Sequence, residues 1–180
     1  MEAKKRNQAN ILARECMVSA LMQLLETKPL SAVTVTEITE RAGVSRMTYY
    51  RNYHSKDEIF SSCLEDIFSA YRADVESWPE RGNYQDSRNL LHCFRYFQAH
   101  SGFIRCLVRC GMGDLLLNAL TRYVTDTYFA GKDREKDAAL YYRLQAFAGS
   151  LYNVYIAWIR SDTRESAEEM ADVIGRIYQD

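Results

Sequence analysis

The chain has 180 residues, of which 47% are hydrophobic and 26% are charged, a composition typical of a folded globular protein. Its net charge of −1 excludes a simple polycation that holds nucleic acid by bulk charge alone. The charges are unevenly distributed: residues 1–60 carry nine Lys or Arg against seven Asp or Glu, and residues 61–180 carry fourteen against seventeen. The amino-terminal third is therefore the mildly basic part of the chain.

Compartment and membrane topology can be predicted from the same composition. Residues 1–10 are charged and lack the apolar core of a signal peptide. The longest uncharged run, Leu144–Ile159, is shorter than the roughly 20 residues that cross a bilayer. The five cysteines are odd in number and form no CxxC pair, which favours a reducing compartment over a disulfide framework. We expect a cytoplasmic protein with no membrane partner.

Apolar residues recur at helical spacing along the whole chain, and no alternating run indicates a strand. The only prolines, Pro29 and Pro79, fall in connections. The sequence therefore predicts an all-α fold. The predicted helices cover residues 8–26, 37–42, 46–52, a segment from the Ser55 cap to Trp78, 87–100, 102–110, 113–129, 133–160 and 167–178.

Four helix starts carry residues that can accept hydrogen bonds from free first-turn amides. Thr36 is the predicted cap of the second helix and Ser45 that of the third. Two capping boxes, in which a hydroxyl residue is followed three positions later by Glu, start the fourth and the last helix. They pair Ser55 with Glu58 and Ser166 with Glu169.

The segment 33–60 has the layout of a helix-turn-helix, a short helix followed by a tight turn and a second short helix. Gly43 suits a turn that needs a left-handed backbone angle. Ile38 and Ala42 lie one turn apart on the first helix, and Tyr49 and Tyr53 on the second, so both pairs are predicted to face inward.

The outward face of the second helix has residues that suit contact with DNA, in the order Arg46, Met47, Tyr50 and Arg51. Arg can donate two hydrogen bonds to guanine, and Met can lie against a thymine methyl group. Hydroxyls and amines around this face can donate to phosphate oxygens, which fixes register without reading sequence. These residues are Thr36, Thr48, Tyr50 and Lys56. The helix amino ends at Thr36 and Ser45 offer free amides to the same phosphates. The alternative is that both helices are merely solvent-exposed.

This segment resembles the amino-terminal DNA-binding region of the TetR family of bacterial regulators. The family pattern is matched at Thr34, Ile38, Ala42, Gly43, Val44, Ser45, Thr48, Tyr50, Ser55, Lys56 and Ile59. The chain departs from it at Thr39, where Ala is common, at Asn52-Tyr53, where Tyr-Phe is common, and at Met47, where a small residue or Pro is frequent. The operator sequence therefore cannot be taken from a relative.

The resemblance implies an all-α repressor that binds double-stranded DNA as a homodimer. Residues 46–52 would form its recognition helix. A helix-turn-helix DNA-binding domain would cover residues 1–56. A larger helical domain, residues 57–180, would bind an effector and dimerise. In this assignment Arg46, Met47, Tyr50 and Arg51 read bases or backbone, and Thr36, Thr48 and Lys56 hold phosphates.

Apolar seams on the last two helices suggest how two copies associate, because one short recognition helix reads few bases. The residues predicted for dimerisation are Leu151, Tyr155, Ile159, Met170, Ile174 and Ile177. The alternative is that these seams face the core of their own chain.

The middle helices are rich in aromatic residues with polar groups among them, as a small-molecule site requires. The residues predicted to contact an effector are Tyr96, Phe97, Phe103, Tyr123, Phe147 and Tyr152. Such a site would take a small apolar or aromatic molecule. The alternative is that the aromatic side chains only fill a core.

The leading hypothesis is a ligand-responsive repressor that a small molecule releases from a near-palindromic operator. In the alternative, the second domain of a DNA-binding regulator or co-activator receives a partner protein. No nucleophile elbow, phosphate loop or metal motif is present, so we expect neither an enzyme nor a cofactor. Cys93, Cys106 and Cys110, with His92 and His100, allow a metal or thiol-switch reading, although free Cys is usually a small buried apolar residue.

Overall fold

The computed structural model describes residues 2–79 and 82–179, and the side-chain surroundings of residues 7–79 and 82–178. This part of the chain is all helical and contains no strand, which confirms the predicted fold class. The helices are α1 (Glu2–Leu24), α2 (Val35–Ala42), α3 (Arg46–Asn52), α4 (Asp57–Glu76), α5 (Ser87–Ala99), α6 (Ser101–Arg109), α7 (Gly113–Tyr128), α8 (Ala138–Arg160) and α9 (Ala167–Gln179). A 3₁₀ turn, Leu30–Ala32, lies in the connection after α1.

The chain forms two compact units, Met1–Glu65 and Asp66–Asp180. The division falls inside α4, whereas the sequence places a domain boundary between residues 56 and 57, at the start of that helix. None of the described helices is both long enough and apolar enough to cross a bilayer.

The first unit is built on the packing of α1 against α2 and α3. Its core includes Met17, Leu21 and Ile38, all completely buried, together with Tyr49 of α3 and Tyr53 just after that helix. The side chain of Asn52 donates to the side chain of Asn10 on α1 at 3.1 Å and to the carbonyl of Thr48 at 2.8 Å. These contacts hold the carboxyl end of α3 against α1.

The start of α2 differs from the prediction, because the cap is Thr34 and Thr36 lies inside the first turn. The N–H of Glu37 donates to Thr34 Oγ1 at 3.3 Å, and the Glu37 carboxylate accepts from the Thr34 N–H at 2.9 Å. This is a complete capping box. Lys28 forms an ion pair with the same carboxylate, and it is the first cause that lowers the pKa of Glu37 to about 2. The spacing Thr-x-x-Glu, present at 34–37, was the sequence signal for this cap.

The predicted caps at Ser55 and Ser166 are present, and only the partner of the Glu58 carboxylate differs from the prediction. Ser166 and Glu169 form the predicted box, with bonds of 2.7 and 3.1 Å. Ser55 Oγ accepts from the N–H of Glu58 at 3.2 Å, while the Glu58 carboxylate accepts from the N–H of His54.

The helix predicted from residue 133 begins later, at Ala138. The Asp133 carboxylate accepts from the N–H of Glu135 at 2.8 Å, which closes a separate turn. The Asp137 carboxylate in turn accepts from the N–H of Asp133 at 3.1 Å. Local side-chain hydrogen bonds thus compete with helix formation over these residues.

In the second unit, α5 packs on α9 and α7 packs on α8. The core between them is aromatic. Trp158 meets Phe94 edge to face with ring centres 5.5 Å apart, and its Nε1 donates to the carbonyl of Glu165 at 2.9 Å. The hydroxyl of Tyr155 donates to the carbonyl of Phe97 at 2.7 Å. The polar ends of these aromatic side chains are therefore satisfied inside the core, as burial requires.

Candidate nucleic-acid interface

The turn between α2 and α3 depends on Gly43, whose φ of +66° is left-handed. The N–H of Gly43 donates to the carbonyl of Glu40 at 3.3 Å, and the N–H of Val44 donates to the carbonyl of Thr39 at 3.0 Å. These bonds satisfy carbonyls that the end of a helix would otherwise leave open. The turn predicted from Gly43 is confirmed.

The start of α3 is capped by Ser45, as predicted. Its Oγ accepts from the N–H of Thr48 at 3.1 Å and lies 3.0 Å from the Thr48 hydroxyl. The Thr48 hydroxyl, predicted to contact phosphate, is thus held beside the cap at the amino end of α3. This end of a helix favours negative charge because its amides point outward.

The two sides of α3 differ sharply in exposure. Tyr49 is 1% exposed and Tyr53, just after the helix, is 2% exposed, so both face the core as predicted. Met47 is 82% exposed and Tyr50 is 55% exposed. The side of α3 opposite the core therefore presents one sulfur-containing and one aromatic side chain to solvent.

Arg46 and Arg51 complete the outward face of α3, and both are exposed. Neither forms an ion pair with any residue whose side chain the structure describes. Their guanidinium groups therefore keep their donors for an external acceptor. The face defined by Arg46, Met47, Tyr50 and Arg51 is called the reading face below.

Lys56, predicted to contact phosphate, has a structural partner that the sequence did not reveal. Its Nζ donates to the carbonyl of Leu30 at 2.7 Å and to the carbonyl of Val33 at 2.6 Å. Two of the three ammonium donors are therefore used to hold the connection before α2 against the start of α4. Thr36, in the first turn of α2, is exposed beside this connection.

Four of the six residues predicted to contact an effector line two small cavities in the second unit, each of about 20 Å³. Phe97 and Tyr152 line the first cavity, and Tyr123 and Phe147 line the second. The remaining two residues, Tyr96 and Phe103, line neither of them. Instead, the Tyr96 hydroxyl donates to the carbonyl of Ile67 at 2.9 Å.

Each cavity has room for about one water molecule, far below the roughly 300–1,000 Å³ of a drug-sized ligand site. The two cavities adjoin, because both are lined by Cys93, Leu120 and Leu151. The aromatic residues of this region therefore fill a core, with a divided void at its centre.

Five of the six residues predicted for dimerisation are buried inside their own chain, which agrees with the alternative that these seams face the core. They are Leu151, Tyr155, Ile159, Met170 and Ile174, each at most 8% exposed. A side chain already buried in its own subunit has little area left for a partner. Ile177 is the exception at 56% exposed, and Val173, one turn before it on α9, is 47% exposed.

The sequence singled out three cysteines and two histidines for a metal or thiol-switch reading. Among the described residues no three His, Cys, Asp or Glu side chains are grouped to hold a metal ion. Burial raises the pKa of the Cys93 thiol to about 12 and that of Cys106 to about 11. Since the thiolate is the reactive form, neither thiol is activated for redox chemistry.

Comparison with known proteins gives matches to two family models. Residues 17–63 match a model described as bacterial regulatory proteins, tetR family, and residues 87–180 match one described as transcriptional regulator C-terminal region. The first match contains the whole helix-turn-helix and the reading face. The second covers more than half of the chain.

Curated relatives align over part of their length. The chain is 30% identical to the nucleoid occlusion factor SlmA of Shewanella frigidimarina, over 65% of this chain and 60% of that protein. It is also 30% identical to the HTH-type transcriptional regulator EthR of Mycolicibacterium smegmatis, over 51% of this chain and 45% of that protein. The aligned region thus spans about half the length of these relatives.

Solved structures share the fold over nearly the whole chain. The dihydroxyacetone kinase operon activator DhaS has a TM-score of 0.61 at 18% identity, covering 93% of this chain and 94% of that one. A TetR transcriptional regulator from Rhodococcus has a TM-score of 0.58 at 20% identity, covering 91% and 92%.

Proposed function

This chain belongs to the TetR family of bacterial transcriptional regulators, and we propose that it binds a near-palindromic operator as a homodimer and is released from it by a small effector. The observation that carries the proposal is the reading face, four exposed side chains on a helix whose other side is buried. Two copies related by a twofold axis would place two such helices in successive major grooves.

In this proposal the reading face supplies the sequence-specific contacts. Arg46 and Arg51 donate to guanine edges or phosphates, Met47 packs on a thymine methyl group and Tyr50 donates to the backbone. Further phosphate contacts come from Thr36, Ser45, Thr48 and the third ammonium donor of Lys56. Because the DNA target lies in the bacterial cytoplasm, the protein is expected there.

The proposed dimer interface uses the exposed sides of α8 and α9. Val173 and Ile177 form an exposed apolar pair one turn apart on α9. The exposed side of α8 carries small residues, among them Ala146 and Ala157, which let another helix approach closely. Ile177 is retained from the predicted set, and the five buried residues support these helices from inside.

The effector response is proposed to open the divided void at the centre of the second unit. An apolar or aromatic molecule would have to displace the side chains that separate the two cavities, Cys93, Leu120 and Leu151. Such a ligand changes operator affinity only by the difference in its affinity for the open and filled states.

A second candidate function is favoured by the small volume of these cavities. A core with room for about one water at each of two places suits a regulator whose second unit receives a partner protein. DhaS, which shares the fold, is described as an operon activator, and this is compatible with the candidate in which the regulator promotes transcription.

The proposed function is tested by selecting operators from random duplexes and footprinting the selected DNA. We expect a symmetric protected region and two chains per site in sedimentation. The variant Ile177→Asp, with Val173→Asp as a second variant, should lower operator affinity by weakening the dimer. A single-chain complex on an asymmetric site would overturn the proposal.

The two candidates for the second unit are separated by filling the void. Leu120→Trp would block entry of a small effector without touching the reading face. If a small effector acts through the core, this variant still binds the operator, but the effector no longer changes transcription in cells. If a partner protein acts, the response persists in the variant.

A further inference from the structure

A groove with a volume of about 340 Å³ lies between α6 and α8. It lies in the second unit and shares no lining residue with the two small cavities. Its size reaches the lower end of the range for small-molecule sites.

The groove is formed by matching faces of two helices. On α6 it is lined by Arg105, Val108 and Arg109, at positions i, i+3 and i+4. On α8 it is lined by Ile156, Ile159 and Arg160, with the same spacing. Residues so spaced share one side of a helix. Each helix therefore contributes at least one apolar side chain and at least one guanidinium group.

The charge of this groove contrasts with the rest of its unit. Its lining contains three Arg and one Asp, whereas residues 61–180 as a whole carry three more acidic than basic side chains. The apolar lining is well covered, since Ile156 and Ile159 are buried and Val108 is half-buried. The groove thus combines an apolar floor with a positively charged rim.

Two of the guanidinium groups retain unused donors. The Nε of Arg105 is buried and finds no hydrogen-bond acceptor among the described residues, although its Nη1 donates to Asp162 at 2.7 Å. The Arg105 side chain as a whole is 40% exposed, so the rest of its guanidinium group reaches the groove. Arg160 is exposed and has no ion-pair partner in the described part of the chain.

Asp162 occupies part of the acceptor space on Arg105. Its own side chain is 83% exposed, and its backbone is left-handed, with a φ of +59°. A non-glycine residue in this conformation is uncommon, and Asp and Asn tolerate it best. The Asp162 carboxylate thus marks the position where an external anion would meet Arg105.

We propose that this groove binds a small organic anion, in which one carboxylate or phosphate group meets Arg105 and Arg160 and an apolar body lies on Val108, Ile156 and Ile159. Paired guanidinium groups match the geometry of both anions. This site does not rest on the proposed DNA-binding function, because the experiment that tests it contains no DNA.

The test measures binding of eight-carbon probes to the full chain by calorimetry, below their micelle concentrations. Octanoate and octyl phosphate share the tail and differ in the anion, and 1-octanol has the tail without charge. We expect one or both anions to bind at least tenfold more tightly than the alcohol, because charge-assisted hydrogen bonds are the stronger kind. The tighter anion identifies the head group.

Three variants connect this binding to the groove. Arg160→Gln should weaken anion binding on the order of tenfold, and Asp162→Asn, which keeps the left-handed turn and removes the competing charge, should strengthen it severalfold. Arg122→Gln, an exposed arginine of α7 outside the groove, is the matched control and should bind as the parent does.

The proposal is overturned by any of three results. The alcohol could bind as tightly as the anions, which would mean apolar partition only. Arg160→Gln could leave anion binding unchanged, which would place the probe elsewhere, for example in the central void. Alternatively, neither anion could bind up to about millimolar concentration, a level at which a functional site of this kind is occupied.

Discussion

The two compact units present their chemistry in opposite ways. On α3, the polar and sulfur-containing side chains are exposed and the tyrosines of the opposite side are buried. In the second unit, most residues selected as contacts for an effector or a partner are internal. The exposed side of a helix with one polar and one apolar side can therefore be predicted from the sequence. For a helix that is apolar on several sides it cannot.

Neighbouring tyrosines on α3 offer the largest test of this contrast. Tyr49→Ala should lower the free energy of unfolding by about 3–5 kcal/mol, because a fully buried aromatic side chain leaves a cavity. Tyr50→Ala, at an exposed position, should change it by no more than about 0.5 kcal/mol. Urea denaturation followed by circular dichroism measures both. Equal losses would mean that the two sides of α3 are not distinguished by burial.

Lys56 combines the two kinds of role, because it is a proposed phosphate contact and also bonds to backbone carbonyls within the first unit. Lys56→Met keeps the aliphatic stem and removes the ammonium group, so the carbonyls of Leu30 and Val33 lose their donor. We expect unfolding to become easier by about 1–3 kcal/mol.

The same variant should also lower the slope of log operator affinity against log salt by about one, through the third donor. An unchanged salt slope would restrict Lys56 to its structural role. Arg51→Met is the comparison, since it should lower the slope and leave the unfolding free energy as it is.

Arg46 tests the exposed side alone. Arg46→Ala should cost about 1–3 kcal/mol of operator binding and relax base preference at one position, while thermal stability stays unchanged. Competition binding against operators with single base changes measures the preference. Arg122→Ala, an exposed arginine of α7, is the control. Unaltered preference in Arg46→Ala would remove this residue from the reading face.

The smallest expected effects concern acid pH, which should destabilise the second unit at a higher pH than the first. Burial lowers the pKa of His92 and His100 below their usual 6.5, so the unfolded chain takes up protons first and the second unit loses stability as pH falls below 6.5. The pKa of Glu37 is about 2 instead of 4.5, so the first unit loses that contribution only below pH 4.5.

Tryptophan fluorescence reports on the second unit alone, because Trp78 and Trp158 both belong to that unit and are the only two tryptophans in the chain. Denaturation followed by their fluorescence should become easier between pH 7 and pH 5. His100→Gln should reduce that change. A denaturation midpoint that is constant over this range would contradict the assignment to the histidines.

The sequence was sufficient to predict the helices because their ends carry local information. Prolines, the Gly43 turn and hydroxyl caps act within a few residues, and α3 was predicted at its observed bounds, Arg46–Asn52. The cap at Thr34 was missed although its Thr-x-x-Glu spacing was present, since Thr36 offered a competing hydroxyl two residues later.

Other features depend on tertiary contacts that no local pattern contains. The carbonyls that hold Lys56 come from residues 23 and 26 positions earlier. On α8, Leu151, Tyr155 and Ile159 form a regular seam, but so do the small residues of the exposed side. Helical spacing groups residues on a face, and only packing decides which apolar face is inside.

The shortness of α3 limits how much a single copy can distinguish in a genome. Seven residues rise about 10 Å, the length of roughly three stacked base pairs. A word of three base pairs recurs about once in 64 positions, and even six recur about once in 4,000, against roughly 10⁶–10⁹ competing sites. Selectivity must therefore also come from how readily the duplex bends between the contacted words. A mapped operator should accordingly contain positions that are constrained in sequence although no side chain touches them.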